Sequence, residues 1–151
     1  MKIVFASDHA GFDLKTKLIP FVQELGYEVQ DLGPISYDAE DDYPELIARA
    51  AKQVAEDPKG LKGIVIGGSG QGEAIVANRY PRVRTALYYG GSPKILTLSR
   101  EHNDANMLSL GARFLTEEEA KCAVQTWLST DFSGGERHLR RIAQIEAQRH
   151  G

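Results

Sequence analysis

One stretch of the chain, IGGSGQGEAI at residues 66–75, joins four closely spaced glycines to a carboxylate. Glycine-rich turns after a buried strand commonly hold phosphates on their backbone N–H groups, and an acid at the end of one is unexpected. The dinucleotide pattern G-x-G-x-x-G, begun at Gly68 or Gly70, needs glycine where Glu73 and Ile75 stand. The nucleoside-triphosphate pattern begun at Gly67 reaches Gly72 but then meets Glu73 and Ala74 instead of lysine and a hydroxyl residue. Both patterns fail. What remains is a loop able to aim several N–H groups at one point, with a helix behind it and a base at its rim. Such a pairing suits deprotonation beside a carbonyl, the loop holding the enediolate oxygen as it forms. On its own the stretch fits equally well a tight turn followed by an exposed glutamate in the first helical turn.

Other residues narrow the choice. Asp8 and His9 follow a short apolar run, Arg113 follows another, and His102 sits in SREHND near the end of a helical stretch. Arg137 and Arg141 lie one helical turn apart, with Arg140 beside them. Arginine pairs bind phosphate through bidentate hydrogen bonds, although such a run also makes an ordinary solvated face. A histidine at a helix end also caps carbonyls, which is the plainer reading of His102.

The elements that position these residues alternate along the chain. Strands are expected at KIVFAS (2–7), EVQDLG (28–33), GIVIGG (63–68), RTALYY (84–89) and NMLSLG (106–111). Between them, FDLKTKLIPFVQELG places Leu14, Leu18, Phe21, Val22 and Leu25 on one helical face, with Pro20 implying a kink. Further helices are expected from Pro44, over 71–79, in SPKILTLSREH, in EEEAKCAVQTWL and over 136–149. Alternation of this kind implies right-handed crossovers and a Rossmann-like, doubly wound parallel sheet of about five strands in an α/β/α sandwich. Ligands of such sheets bind beyond the carboxyl ends of the strands, which selects Ser7, Asp8, His9, the GGSGQGE loop and Arg113.

The 151 residues suit a single domain, 1–151, and 42% of them are apolar, enough for an ordinary core. A formal charge of −3 argues against nucleic acid or an anionic membrane as the main partner. Cys122 is the sole cysteine, so no intrachain disulfide forms, and its helical setting reads as a buried structural thiol. No apolar run approaches ~18 residues and no signal peptide is recognisable, so a cytoplasmic location is expected.

Several separated motifs together resemble ribose-5-phosphate isomerases of the B type, a family that includes galactose-6-phosphate isomerase subunits. They are SDHAGFDLK near the start, DDYP at 41–44, GGSGQGEAIVANR at 67–79, REHN at 100–103, LGAR at 110–113 and GGERHLRRI at 134–142. The family has two styles of base. A cysteine at the end of the third strand is one, but Gly67 stands there, so the glutamate style, with Glu73, is implied. The resemblance further implies that Asp8 and His9 contact the sugar phosphate, that Gly68, Ser69, Gly70, Gln71 and Gly72 line the anion hole, and that Ser69 adds its hydroxyl. It assigns His102 to furanose ring opening, Asn103 to substrate contact, Arg113, Arg137 and Arg141 to anion binding, and Tyr43 to the pocket wall. It also implies a homodimer, or a dimer of dimers, with sites shared between chains, the C-terminal helix on the partner, and His102, Asn103 and Arg113 serving the partner's loop. Neither metal nor nicotinamide is required, because the hydrogen moves as a proton. Two other readings stay open: the same mechanism on a hexose 6-phosphate (allose or galactose) or a tetrose phosphate, and a nucleotide-binding regulatory module on the same sheet.

Overall fold

Strands covered on both faces read as unbroken apolar runs, and IVFA at 3–6 and IVI at 64–66 are fully buried for that reason. The computed structural model describes residues 1–148. Its strands are β1 (Lys2–Ser7), β2 (Glu28–Asp31), β3 (Leu61–Gly67), β4 (Thr85–Tyr88) and β5 (Met107–Gly111). Its helices are α1 (Phe12–Glu24), α2 (Tyr43–Glu56), α3 (Gln71–Ala77), α4 (Lys94–Glu101), α5 (Glu117–Ser129) and α6 (Glu136–Glu146). All strand pairs are parallel, in the order β2-β1-β3-β5-β4. One face packs Ile3, Phe5, Leu18, Leu96 and Trp127 under α1, α4 and α5. The other packs Val4, Val65, Ile47, Val54 and Ala77 under α2 and α3. The expected three-layer doubly wound sheet is what forms.

Register then places the chemistry. Ser7 pairs with Ile66, and Gly67 with Gly111, so β1, β3 and β5 end at one level. The order of strands reverses between β1 and β3, the point at which open α/β sheets form a ligand crevice. A single 3-10 turn, His9–Gly11, carries the chain from β1 into α1. Asp8 caps it, its Oδ1 accepting the Gly11 N–H at 3.1 Å. A β-carbon on Gly11 would overlap the Ile66 carbonyl oxygen and lie 2.7 Å from the carbonyl carbon, so the turn rests directly on β3.

Some expectations need correction. Cys122 is exposed, because the buried stripe of α5 runs through Ala120, Ala123, Val124 and Trp127 and leaves position 122 on the outer side. Pro20 lies inside α1, which runs on to Glu24. α3 stops at Ala77 rather than 79, and α6 ends at Glu146; position 149 of the expected C-terminal helix lies outside the described residues. α6 is unusual in having one buried residue, His138, in 11 positions, while Leu139 and Ile145 are exposed.

The seat of the 3-10 turn on β3 gives a first test. Gly11→Ala forces a methyl group against backbone that cannot yield, and overpacking of this sort costs about 1–3 kcal/mol. Urea denaturation should show a lower midpoint with an unchanged slope; an unaltered midpoint would mean that the turn is free to lift.

Candidate active site

The glycine-rich loop is fixed by its neighbours. Gly70 adopts φ +79°, in the left-handed region that admits glycine most readily, and turns the chain into α3. Its carbonyl accepts the Ser109 hydroxyl at 2.7 Å, and the Gly68 carbonyl accepts the Arg113 N–H at 3.0 Å. A β-carbon on Gly111 would stand 2.7 Å from the Ser69 carbonyl, so the loop lies directly on the end of β5. The Ser69 hydroxyl accepts the Gln71 N–H at 3.4 Å.

Glu73 is not an exposed residue in the first helical turn. It is 3% exposed, and its carboxyl group fills the space that a side chain at position 67 would take: a β-carbon on Gly67 would coincide with it. A side chain at the end of β3 and the Glu73 carboxyl therefore exclude one another. Burial raises the Glu73 pKa above the usual carboxylate range; its own backbone N–H draws it down, and the neighbouring Asp8 charge raises it again. The result is a shielded carboxyl at the root of the glycine-rich loop.

The remaining residues on this edge surround the loop. A β-carbon on Gly72 would lie 2.5 Å from the Tyr43 ring, so Tyr43, first residue of α2, stands against the loop as a wall. The Arg113 guanidinium lies over Gly68, 3.1 Å from where its β-carbon would be. His9 Nδ1 is 2.8 Å from Asp41 Oδ1, which also accepts the His9 backbone N–H at 3.1 Å. Asp8, His9 and Asp41 have ligand-capable atoms within 4.8 Å of one another, but those of His9 and Asp41 are hydrogen-bonded to each other rather than arrayed about a point.

The other residues expected at the site are elsewhere. Helices of a parallel sheet run back against the strands, so α4 ends at the opposite edge. His102 caps α4 there, and the Asn103 carbonyl accepts the Arg84 Nε–H at 2.9 Å, just before β4 begins. The imidazoles of His102 and His138 stack with centroids 4.2 Å apart and planes 17° from parallel. Burial lowers the His138 pKa, and the nearby His102, Arg137 and Arg141 charges lower it further. Thus His102, Asn103, Arg137 and Arg141 gather at one end of the sheet, and Asp8, His9, Tyr43, the loop, Glu73 and Arg113 at the other. The five residues of β5 separate the two groups by roughly 16 Å at ~3.3 Å per residue.

Arg113 thus sits on its own chain's loop, contrary to the expectation that it serves a partner, because it follows the end of β5 while His102 precedes its start. Two residues escaped sequence reasoning. Asp41 stands in an acidic loop where any of several carboxylates could have been chosen, and His138 was hidden among the arginines of ERHLRRI.

Comparison with known proteins bears on the whole arrangement. The chain matches the ribose/galactose isomerase family over residues 3–145. It is 44% identical over 142 residues to ribose-5-phosphate isomerase B of Mycolicibacterium paratuberculosis, covering 94% of this chain and 87% of that one. It is 38% identical to the Escherichia coli ribose-5-phosphate isomerase B, over 97% of this chain and 95% of that protein. The crystal structure of the Mycoplasma genitalium ribose-5-phosphate isomerase B with bound ribulose-5-phosphate superposes with a TM-score of 0.91 at 39% identity, over 96% of this chain and 93% of that one. Fold, loop and sequence agree: the chain belongs to the ribose/galactose isomerase family.

Proposed function

We propose that the protein interconverts ribose 5-phosphate and ribulose 5-phosphate, an aldose–ketose isomerisation without external oxidant or reductant. The observation that carries this reading is the buried Glu73 carboxyl packed at the root of the glycine-rich loop, in the space a side chain at Gly67 would take. Glu73 takes the proton from C2 of the open-chain aldose and returns it to C1. The loop from Gly68 to Gly72, with the Ser69 hydroxyl, holds the enediolate oxygens while the charge exists. His102 transfers a proton to the ring oxygen to open the furanose, Asn103 contacts the sugar, and Arg137 and Arg141 hold the phosphate. Support for the sugar comes from the relatives named ribose-5-phosphate isomerase B and from the ribulose-5-phosphate bound by the Mycoplasma genitalium protein. An assay across four-, five- and six-carbon aldose phosphates tests it; a preference for a six-carbon substrate would displace ribose 5-phosphate while keeping the mechanism.

Two halves of one site at opposite edges of a sheet can meet only between chains. A homodimer in which each chain's His102, Asn103, Arg137 and Arg141 face its partner's Glu73 loop gives two equivalent sites. The exposed Leu139 and Ile145 of α6 favour such an assembly. So does an apolar groove of about 630 Å³ beside the edge strand β4, lined in part by Leu87, Ile95, Leu98 and Ile145. No helix among the described residues is long and apolar enough to cross a membrane.

Glu73→Gln keeps the shape of the side chain and removes the base, so proton transfer should fall by at least ~10²–10⁴-fold with folding intact. Solvent deuterium entering the product at the wild-type rate would refute the assignment. Because the base works ionised and its pKa is raised, wild-type kcat/KM should begin to fall with decreasing pH earlier than an ordinary glutamate would dictate.

Gly67→Cys should not convert one style of base into the other. The new side chain must displace the Glu73 carboxyl, and a drop of ~10²-fold or more in kcat/KM is expected, measured beside a melting curve that shows the chain still folded. Retention of wild-type turnover would show that the carboxyl does not act from this position.

Mixing inactive Glu73→Gln with inactive His102→Ala should restore activity, since a mixed dimer carries one intact site. Full exchange at equal amounts yields about a quarter of wild-type activity from the statistics of a two-fold dimer. A mixture that exchanges chains and stays inactive would place each site within one chain.

A further inference from the structure

The loop from Pro34 to Asp42 ends over the active-site edge, and it is braced from both sides. At its start the buried Lys15 ammonium donates to the Pro34 carbonyl at 2.6 Å and to Asp31 Oδ1 at 2.7 Å. Near its end an Asx turn at Asp38 orders the backbone: Asp38 Oδ1 accepts the Glu40 N–H, and the Asp38 carbonyl accepts the Asp41 N–H at 3.2 Å. This delivers the Asp41 carboxylate, 10% exposed, to His9, 32 residues distant in sequence. One oxygen takes both the imidazole Nδ1 and the His9 backbone N–H; the other is buried with no partner among the described residues. His9 is the residue paired with this carboxylate among the described residues, an ion pair whenever its imidazole is protonated. The Tyr37 ring edge meets the same imidazole, centroids 6.3 Å apart, and His9 Nε2 has no partner among the described residues.

We propose that Asp41 is a positioning residue: it holds His9 by Nδ1, so that Nε2–H is the single donor this imidazole presents to the sugar phosphate. The idea rests on the isomerase reading above. A histidine whose Nδ1 is unheld can turn its ring or carry its proton on either nitrogen, and a carboxylate at Nδ1 removes both freedoms. The groups around His9 pull on its charge in both directions. The Asp41 hydrogen bond raises its pKa, burial lowers it, the Asp8 and Asp41 charges raise it, and Arg113 lowers it. The net direction is upward, so the cationic ring persists to higher pH than in a free histidine. With Arg113 nearby, His9 forms a cationic donor pair on the Glu73 side of the site, facing an anionic substrate that the opposite half holds by its phosphate.

The test separates positioning from mere support of the loop. Asp41→Ala should raise KM for ribose 5-phosphate by about 10-fold or more, the range for one charge-assisted hydrogen bond, with little change in kcat. In a His9→Ala background the same substitution should change nothing further, since there is no ring left to hold. An equal loss with and without His9 would overturn the proposal. Asp41→Asn keeps an acceptor for Nδ1 and removes the charge. The pH above which KM climbs should therefore move downward, and the His9 ring should titrate lower by NMR while keeping its Nδ1–H. An unmoved His9 titration would also overturn the proposal, and this readout needs no activity. A wild type inactive on every aldose phosphate would instead defeat the isomerase reading, leaving the NMR titration to decide on Asp41.

Discussion

Everything on the catalytic edge follows from one exclusion of volume: the place beyond β3 can hold a side chain of residue 67 or the carboxyl of Glu73, and it holds the latter. With glycine at 67, the backbone runs straight into the loop and the carboxyl folds back beneath it. That placement removes Glu73 from water, which raises its pKa, the direction that suits the base of the proposed isomerisation. It also keeps the carboxyl at the root of the loop that, in the proposed reaction, receives the enediolate charge. The loop is kept rigid for this purpose by Ser109, Gly111 and Arg113, all from β5 or just beyond it. Removing any one of these contacts loosens an anion cage rather than a core.

The second constraint is directional. Strands of a parallel sheet end together, and the helices between them return to the other side. A residue that ends a helix is therefore denied to a site built at strand ends of the same chain. His102 ends α4, and His138, Arg137 and Arg141 ride on α6, which crosses the strand-beginning edge. Arg84 and Asn106 tie that edge together: the Arg84 N–H donates to Asn106 Oδ1 at 2.9 Å, and Arg84 reaches Glu146 of α6 at 2.6 Å. This half is as well built as the other; it carries the stacked imidazoles of His102 and His138, and the buried Glu73 carboxyl lies at the opposite edge. In the proposed reading proton transfer belongs to one half and ring opening and phosphate capture to the other, and the proposed homodimer is the way a parallel sheet can use both of its ends.

Much of this was legible in the sequence, and for identifiable reasons. The strands were legible because burial on both faces leaves unbroken apolar runs, as in IVFA and IVI. Glu73 was legible because it violates the phosphate-loop patterns around it. Its burial was not, since a glutamate in a first helical turn is ordinarily solvent-facing, and only the missing side chain at Gly67 explains where the carboxyl goes. Cys122 was misread because a thiol in an apparently helical stretch looks internal, while one step of 100° along α5 decides which face it takes. Asp41 and His138 were illegible because each meets the candidate site through another residue's side chain, His9 and His102 respectively, a relation that no spacing encodes. Arg113 was placed on the right edge by strand order but on the wrong chain by analogy.

The rigid spacer of β5 has a meaning for selectivity. If proton transfer belongs to one chain and phosphate capture to its neighbour, the distance from the reacting carbons to the phosphate is measured across the gap between two bodies. The number of carbons accepted then becomes a property of how the chains are docked. A slight re-registration of the interface would retune the ruler for longer or shorter sugars while leaving every side chain around Glu73 untouched.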